Sequence, residues 1–212
     1  MRARLPDPSR LAAIAVVALA LAACATTTMR DSWFDPTVRA EPFSKVLVVS
    51  VGGGIAQRRI VEDVLAERLG SVGVAAVQGY RFLPDGKASE AELDAAVAQA
   101  GADGLMLVHF KGVRAETEVR ATLVPGGFGP WGPGWGPGWY GWYGGLYAVP
   151  EVVTTRIATI ETTLFDAKSQ KLAWAGVTET FDPTSFRKVS DALADVIVTG
   201  IAAHGLVPKG KT

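Results

Sequence analysis

Lys45-Val-Leu-Val-Val-Ser-Val51 is an unbroken apolar run, mostly β-branched, with a single hydroxyl near its end. A strand of this composition offers no wet face and must be covered on both sides. Gly52-Gly53-Gly54 follows as a turn, and Ile60, Val61, Val64, Leu65 and Leu69 then repeat at helical spacing. The spacing sets Arg58, Arg59, Glu62 and Asp63 toward water, with Arg58–Glu62 and Arg59–Asp63 as i,i+4 pairs. Gly70 and Gly73 end this helix, and Val74 to Val77 reads as a short second strand. Ser89-Glu-Ala-Glu92 is a capping box opening a second helix, whose buried side is Leu93, Ala96, Val97 and Ala100. Gly101-Ala-Asp-Gly104 turns into the strand Leu105–Phe110. The order β-α-β-α-β predicts right-handed crossovers and a parallel sheet.

The second half changes character. Arg114, Glu116, Glu118 and Arg120 alternate with Ala115, Thr117, Val119 and Ala121, the pattern of a strand with one wet face. Val152–Phe165 and Lys171–Phe181 are two more strands, joined by a turn at Asp166-Ala-Lys-Ser-Gln170. A closing helix is expected from Asp182-Pro183, with Phe186, Val189, Leu193, Val196, Ile197 and Ile201 as its apolar stripe and Gly205 as its stop. The predicted class is α+β: a parallel βαβαβ half, an antiparallel β-meander, and a C-terminal helix packed on the sheet.

Upstream, Met1–Arg10 carries Arg2, Arg4 and Arg10 against Asp7, and Leu11–Ala23 has no charged or polar side chain. This is the layout of an export signal. As a helix the apolar run would be roughly 20 Å long, short of the roughly 30 Å hydrocarbon core of a bilayer. Leu21-Ala22-Ala23-Cys24 resembles the lipobox of bacterial lipoproteins. The resemblance implies cleavage before Cys24 and acylation of that residue, so the membrane is the expected partner. By the same resemblance, Ala25 in place of Asp permits the outer membrane, whose periplasmic face is the expected location, with the inner membrane as the alternative. The expected organisation is residues 1–23 as signal peptide and 24–43 as a lipidated tether containing Trp33 and Phe34. Residues 44–207 form one domain and 208–212 a tail. Within residues 44–207 the element order, with the phrases Gly-Ala-Asp-Gly104 and Leu-Phe-Asp-Ala-Lys-Ser-Gln-Lys-Leu-Ala-Trp174, is similar to small bacterial outer-membrane lipoproteins of an uncharacterised family. More distantly it resembles the periplasmic domain of the curli-secretion lipoprotein and of lipoprotein activators of penicillin-binding proteins. That resemblance implies the fold and brings no catalytic residues with it.

Cys24 is the only cysteine, so no intramolecular disulfide is expected. The chain has 21 basic and 21 acidic residues. Losing three Arg and one Asp with the signal leaves 18 against 20, without the basic stripe of a nucleic-acid binder. Of two histidines, His109 is expected in the core and His204 at the last turn of the closing helix, where positive charge suits the dipole. Asp191 and Asp195 are one turn apart on the expected solvated face. The Gly52-Gly53-Gly54 turn departs from a dinucleotide fingerprint at Gln57, and no Gly-Lys-Ser or Gly-Lys-Thr is present. No cofactor, metal or catalytic residue is therefore expected.

The conspicuous remaining segment is 125–149, with Trp131, Trp135, Trp139, Tyr140, Trp142 and Tyr143 set among Gly and Pro and no charge between Arg120 and Glu151. Gly and Pro at this density forbid a regular helix or central strand. The bland reading is a low-complexity loop at a hairpin end. The sharper ones are a contact with membrane or envelope protein through interface-seeking rings, or ring stacking on a glycan. Together these features predict a non-enzymatic envelope lipoprotein serving binding or assembly. The runner-up is a subunit of a membrane-inserted oligomeric channel or assembly, and a third reading is a glycan- or peptidoglycan-binding module.

Overall fold

A computed structural model describes residues 27–39, 41–85, 88–124, 147–181, 183 and 185–209. Along the chain the elements are β1 (Thr27–Phe34), β2 (Lys45–Val51), α1 (Ile55–Ser71), β3 (Ala75–Gln78), α2 (Glu90–Ala100), β4 (Gly104–Val124), β5 (Tyr147–Asp166), β6 (Leu172–Phe181) and α3 (Phe186–Ala203). The described strands form one sheet in the order β1-β6-β5-β4-β2-β3. β2 is parallel to both its neighbours, β3 and β4, while β6 is antiparallel to β1 and β5. The fold is therefore mixed α+β, as the alternation of patterns predicts. The chain divides into two compact units, Met1–Val113 with Ile157–Thr212, and Arg114–Arg156.

In the first unit the sheet is covered on both faces. Val46 and Val48 join Met106, Val108, Ile160, Leu164 and Trp174 beneath α1 and α3, whose Leu65, Leu69, Leu193, Ile197 and Ile201 are buried there. Leu47 and Val49 face the other way, onto Leu83, Ala96 and Ala100, with Leu93 and Val97 of α2 packed beside them. Successive β2 residues thus enter different cores, which is why the run alternates in direction without alternating in polarity. Ser89 caps α2 by accepting from the Glu92 N–H, and the Glu92 carboxylate accepts from the Ser89 N–H at 2.8 Å. Gly101 closes that helix in the left-handed region at φ 59°.

Several elements differ from the sequence expectation. Thr27–Phe34, read as part of a tether, is a strand that adds to the edge of β6. Its Met29 packs against the core and Phe34 stacks on His204 at 4.4 Å, while Trp33 stays about half exposed. Leu105–Phe110 and Arg114–Ala121, read as separate strands, belong to one 21-residue strand that passes through Gly112 at φ 134°. α3 starts at Phe186 with Ser185 as its N-cap, three residues later than the Asp182-Pro183 signal suggests.

The second unit is a ribbon of β4 and β5, in which the Thr117 and Thr154 hydroxyls lie 3.3 Å apart. One wet face was expected for Arg114–Ala121. Instead Ala115, Thr117 and Val119 are exposed along with Arg114, Glu116 and Glu118.

Candidate functional site

The lipidation residue, Cys24, and the aromatic set Trp131, Trp135, Trp139, Tyr140, Trp142 and Tyr143 lie outside the described residues. What the described chain assembles is a pocket in the first unit, at the C-terminal end of β2, under the start of α1 and the start of α3.

Its construction follows from the turn after β2. Gly52 and Gly53 take φ of 87° and 75°, a region that favours glycine, and they swing the chain away from the sheet before α1 begins. A Cβ on Gly53 would come within 2.9 Å of Gln57 Oε1, the oxygen that accepts the Gly54 N–H at 2.8 Å to close the first turn of α1. The sheet supplies Val108 and Phe110 from β4 and Ala158 and Ile160 from β5, and the helices add Val61, Phe186 and Val189. The hollow measures about 240 Å³ and opens to solvent on one side. Ser50, Gln57 and Ser185 bring its side-chain polarity, and among the described residues no charged side chain lines it.

Ser50 points from the face of β2 that also carries Val46 and Val48, and the residue is 9% exposed. Its N–H donates to Glu62 at 2.9 Å. Ser185 makes no side-chain cap bond to α3. The pocket is thus apolar walls, the Ser50 and Ser185 hydroxyls and the Gln57 amide, and the starts of two helices of 17 and 18 residues.

Behind it stands a polar lock that the sequence misplaces. Arg58 and Glu62, expected to face water, are buried, at 8% and 0% exposure. Glu62 accepts from Arg58 Nε at 2.9 Å and from the N–H groups of Ser50 and Tyr80 at 2.9 and 2.7 Å. Arg58 in turn donates to the Pro84 carbonyl at 2.8 Å. The pair fastens α1 to β2 and to the segment after β3, which the helix periodicity alone does not reveal.

A second polar cluster lies at the N-terminal end of β4. Arg39 donates to Asp103 at 2.7 Å and Asp166 at 2.9 Å, and its guanidinium stacks over Phe43 at 4.3 Å. Asp103 also accepts from the N–H groups of Ser44 and Lys45 at 3.0 and 2.8 Å. Burial would raise the Asp103 carboxyl, but the Ser44 and Lys45 N–H groups, the Ser44 hydroxyl and Arg39 outweigh it and hold its pKa below the usual range. Asp166 is lowered likewise: burial opposes, and Ser169 and Arg39 prevail. This cluster is a clasp between the chain after β1, the start of β4 and the β5–β6 turn.

His109 is exposed, contrary to the expected core position: it alternates away from the buried Val108, onto the face of β4 that carries Leu105 and Leu107, but one step beyond the residues that pack with α2. His204 is the C-cap of α3. Asp191 and Asp195 are on the solvated face as expected, paired with Arg187 at 3.7 Å and Arg68 at 2.6 Å. Among the described residues no three His, Cys, Asp or Glu gather as a metal site would require. No described helix is long and apolar enough to cross a membrane.

No family model matches the chain, and no curated protein matches it. Among solved structures it is similar to the PelC dodecamer from Paraburkholderia phytofirmans, at 15% identity over 81% of this chain and 95% of that one, with a TM-score of 0.43. Lipoprotein GNA1162 from Neisseria meningitidis aligns at 12% identity over 76% and 99% of the two chains, with a TM-score of 0.39. The protein CT253 from Chlamydia trachomatis aligns at 11% identity over 78% and 95%, with a TM-score of 0.37. These likenesses transfer no residue role and no activity.

Proposed function

We propose that this protein is a non-enzymatic accessory of the bacterial envelope, lipid-anchored through Cys24 at the periplasmic face of the outer membrane and serving binding or assembly. The observation that carries the proposal is the succession of a basic start, the apolar run Leu11–Ala23 and Leu21-Ala22-Ala23-Cys24. The placement of β1 supports it, since only Ala25 and Thr26 separate Cys24 from the sheet. The three steps from Cys24 to Thr27 span at most about 11 Å, so an acylated Cys24 would hold the domain close against its membrane. The pocket agrees with a binding role: its walls offer apolar area and hydrogen bonds, the composition of a ligand site.

The test is Cys24→Ser in cells fed labelled palmitate. The proposal requires wild-type chain that takes up label and a variant that remains uncleaved and unlabelled; normal processing of the variant refutes it. Deleting residues 126–146 then asks what the aromatic segment touches. Loss of retention on liposomes assigns it to membrane, loss on peptidoglycan assigns it to glycan, and unchanged retention on both leaves it a loop.

One observation favours a second reading, a subunit of an oligomer. In the second unit Val119 and Val152 are 70% and 64% exposed on a two-stranded ribbon. Isolated ribbons of two strands are marginally stable in water and are completed by further strands or a packing partner. Particle mass after gentle extraction decides: a ring of subunits supports this reading, a monomer removes it.

A further inference from the structure

We propose that the hollow beneath α1 and α3 takes up one acyl chain of the lipid carried by Cys24 of the same polypeptide. The assignment rests on the acylation proposed above and says where part of that lipid goes. Thr27 opens β1 opposite Thr180, their hydroxyls 2.8 Å apart, and Thr180 pairs in turn with Ala158, which lines the hollow. Residues directly opposite one another in a sheet share a face, so Thr27, Thr180 and Ala158 form one row on the face that α3 covers. Two strand spacings make that row roughly 10 Å long. Cys24 stands three steps upstream of Thr27, a span of at most about 11 Å. Its sulfur can therefore reach the mouth of the hollow, with the glycerol linker still to add. β6 ends one residue past Thr180, and the chain beyond it supplies Pro183 and Ser185 to the lining, so β1 begins at the end of the sheet where the hollow lies.

The lining suits that occupant. Val61, Val108, Phe110, Ile160, Phe186 and Val189 give apolar walls, and about 240 Å³ is below the ~300–1,000 Å³ of drug-sized sites, room for part of one chain and not for several. Behind Ser50 stands the buried Glu62 carboxylate, which accepts the Ser50 N–H at 2.9 Å. An anionic group at that depth is repelled, whereas a hydrocarbon tail needs no counter-charge. The approach is apolar as well: Val113, which lines the hollow, and Ile55, two residues past Gly53, are 54% and 56% exposed. Exposed apolar side chains grouped at an opening mark a site for an apolar ligand. Attachment to the same polypeptide makes the encounter intramolecular, which sets this chain apart from every other lipid in the membrane.

The experiment feeds a diazirine-bearing palmitate to cells expressing the full-length protein, irradiates them, and maps cross-linked peptides by mass spectrometry. The lipid-bearing peptide that begins at Cys24 should be joined to residues 108–113, 157–161 or 185–190, in chains that still migrate as monomers. Ala158→Phe fills the hollow, and Val113→Trp blocks its mouth from an exposed position. Each should abolish these cross-links while label at Cys24 is kept, and an unaltered urea midpoint for Val113→Trp separates occlusion from misfolding. Cross-links from Cys24 that miss these peptides, that persist in either variant, or that join two chains overturn the proposal. Pocket adducts carrying a phospholipid in place of the Cys24 lipid overturn it too. Labelled Cys24 without pocket cross-links refutes the pocket assignment alone, and unlabelled Cys24 refutes the anchor and this assignment with it.

Discussion

Glu62 holds three donors at once with no exposure to water, so its removal strands Arg58 and two backbone N–H groups. Glu62→Leu should therefore destabilise by about 3–5 kcal/mol, read by equilibrium urea unfolding. Arg58→Met with Glu62→Leu should recover part of that loss, since both charges then leave together. At the other cluster the sign follows from lowered carboxyls. A pKa below its unfolded value contributes stability above about pH 3.9 and loses it as pH falls through the folded value. Arg39→Met should thus cost about 1–2 kcal/mol at pH 7, and its difference from wild type should shrink as pH drops below about 4 in an acid-unfolding series. The sequence discloses these residues unequally. Gly-Ala-Asp-Gly104 is legible as a turn, yet the reason for it is tertiary: Asp103 collects N–H groups from Ser44 and Lys45, and a Cβ on Gly104 would sit 2.6 Å from the Phe43 ring. Arg58 and Glu62 look like surface residues because i,i+4 spacing is the same in water and under a loop. Their burial depends on the segment after β3, where Tyr80 and Pro84 supply partners.

At the scale of elements, local patterning goes furthest where one face decides the fate of a segment. β2, α1 and α2 follow from apolar spacing and caps, and the helical stripe of α3 is legible though its start is not. β1 is the counterexample: Thr27–Phe34 is too polar to announce a strand, and it is ordered by the open edge of β6 rather than by its own propensity. β6 itself is fixed by a tight fit, in which a Cβ on Gly176 would lie 2.3 Å from the Trp174 ring and 3.0 Å from Met29 Sδ. Gly176→Ala should cost about 1–3 kcal/mol by overpacking. Gly70 offers the opposite case, inside α1 with nothing within 4 Å of a Cβ. Gly70→Ala should stabilise by about 0.5–1 kcal/mol through helix propensity, and a thermal-melting comparison of the two variants checks both signs.

In the whole molecule, three features lie at one end of the first unit: the arrival of β1, the turn after β2 and the hollow beneath α1 and α3. The fold class was legible because βαβ alternation and a meander leave few topologies. The pocket was not, because it is made by what two helix starts and three strands leave unfilled, and sequence spacing carries no record of unfilled space. Its one polar clue, Ser50, reads in sequence as a small interruption of an apolar run. Everything proposed for this molecule begins with the proposed acylation of Cys24, which would bring this end to a membrane. The most direct measurement is therefore the intact mass of the mature chain extracted from membranes. The account predicts a polypeptide beginning at Cys24 and carrying a diacylglyceryl group and an N-acyl chain. An unmodified chain, or one retaining residues 1–23, contradicts it.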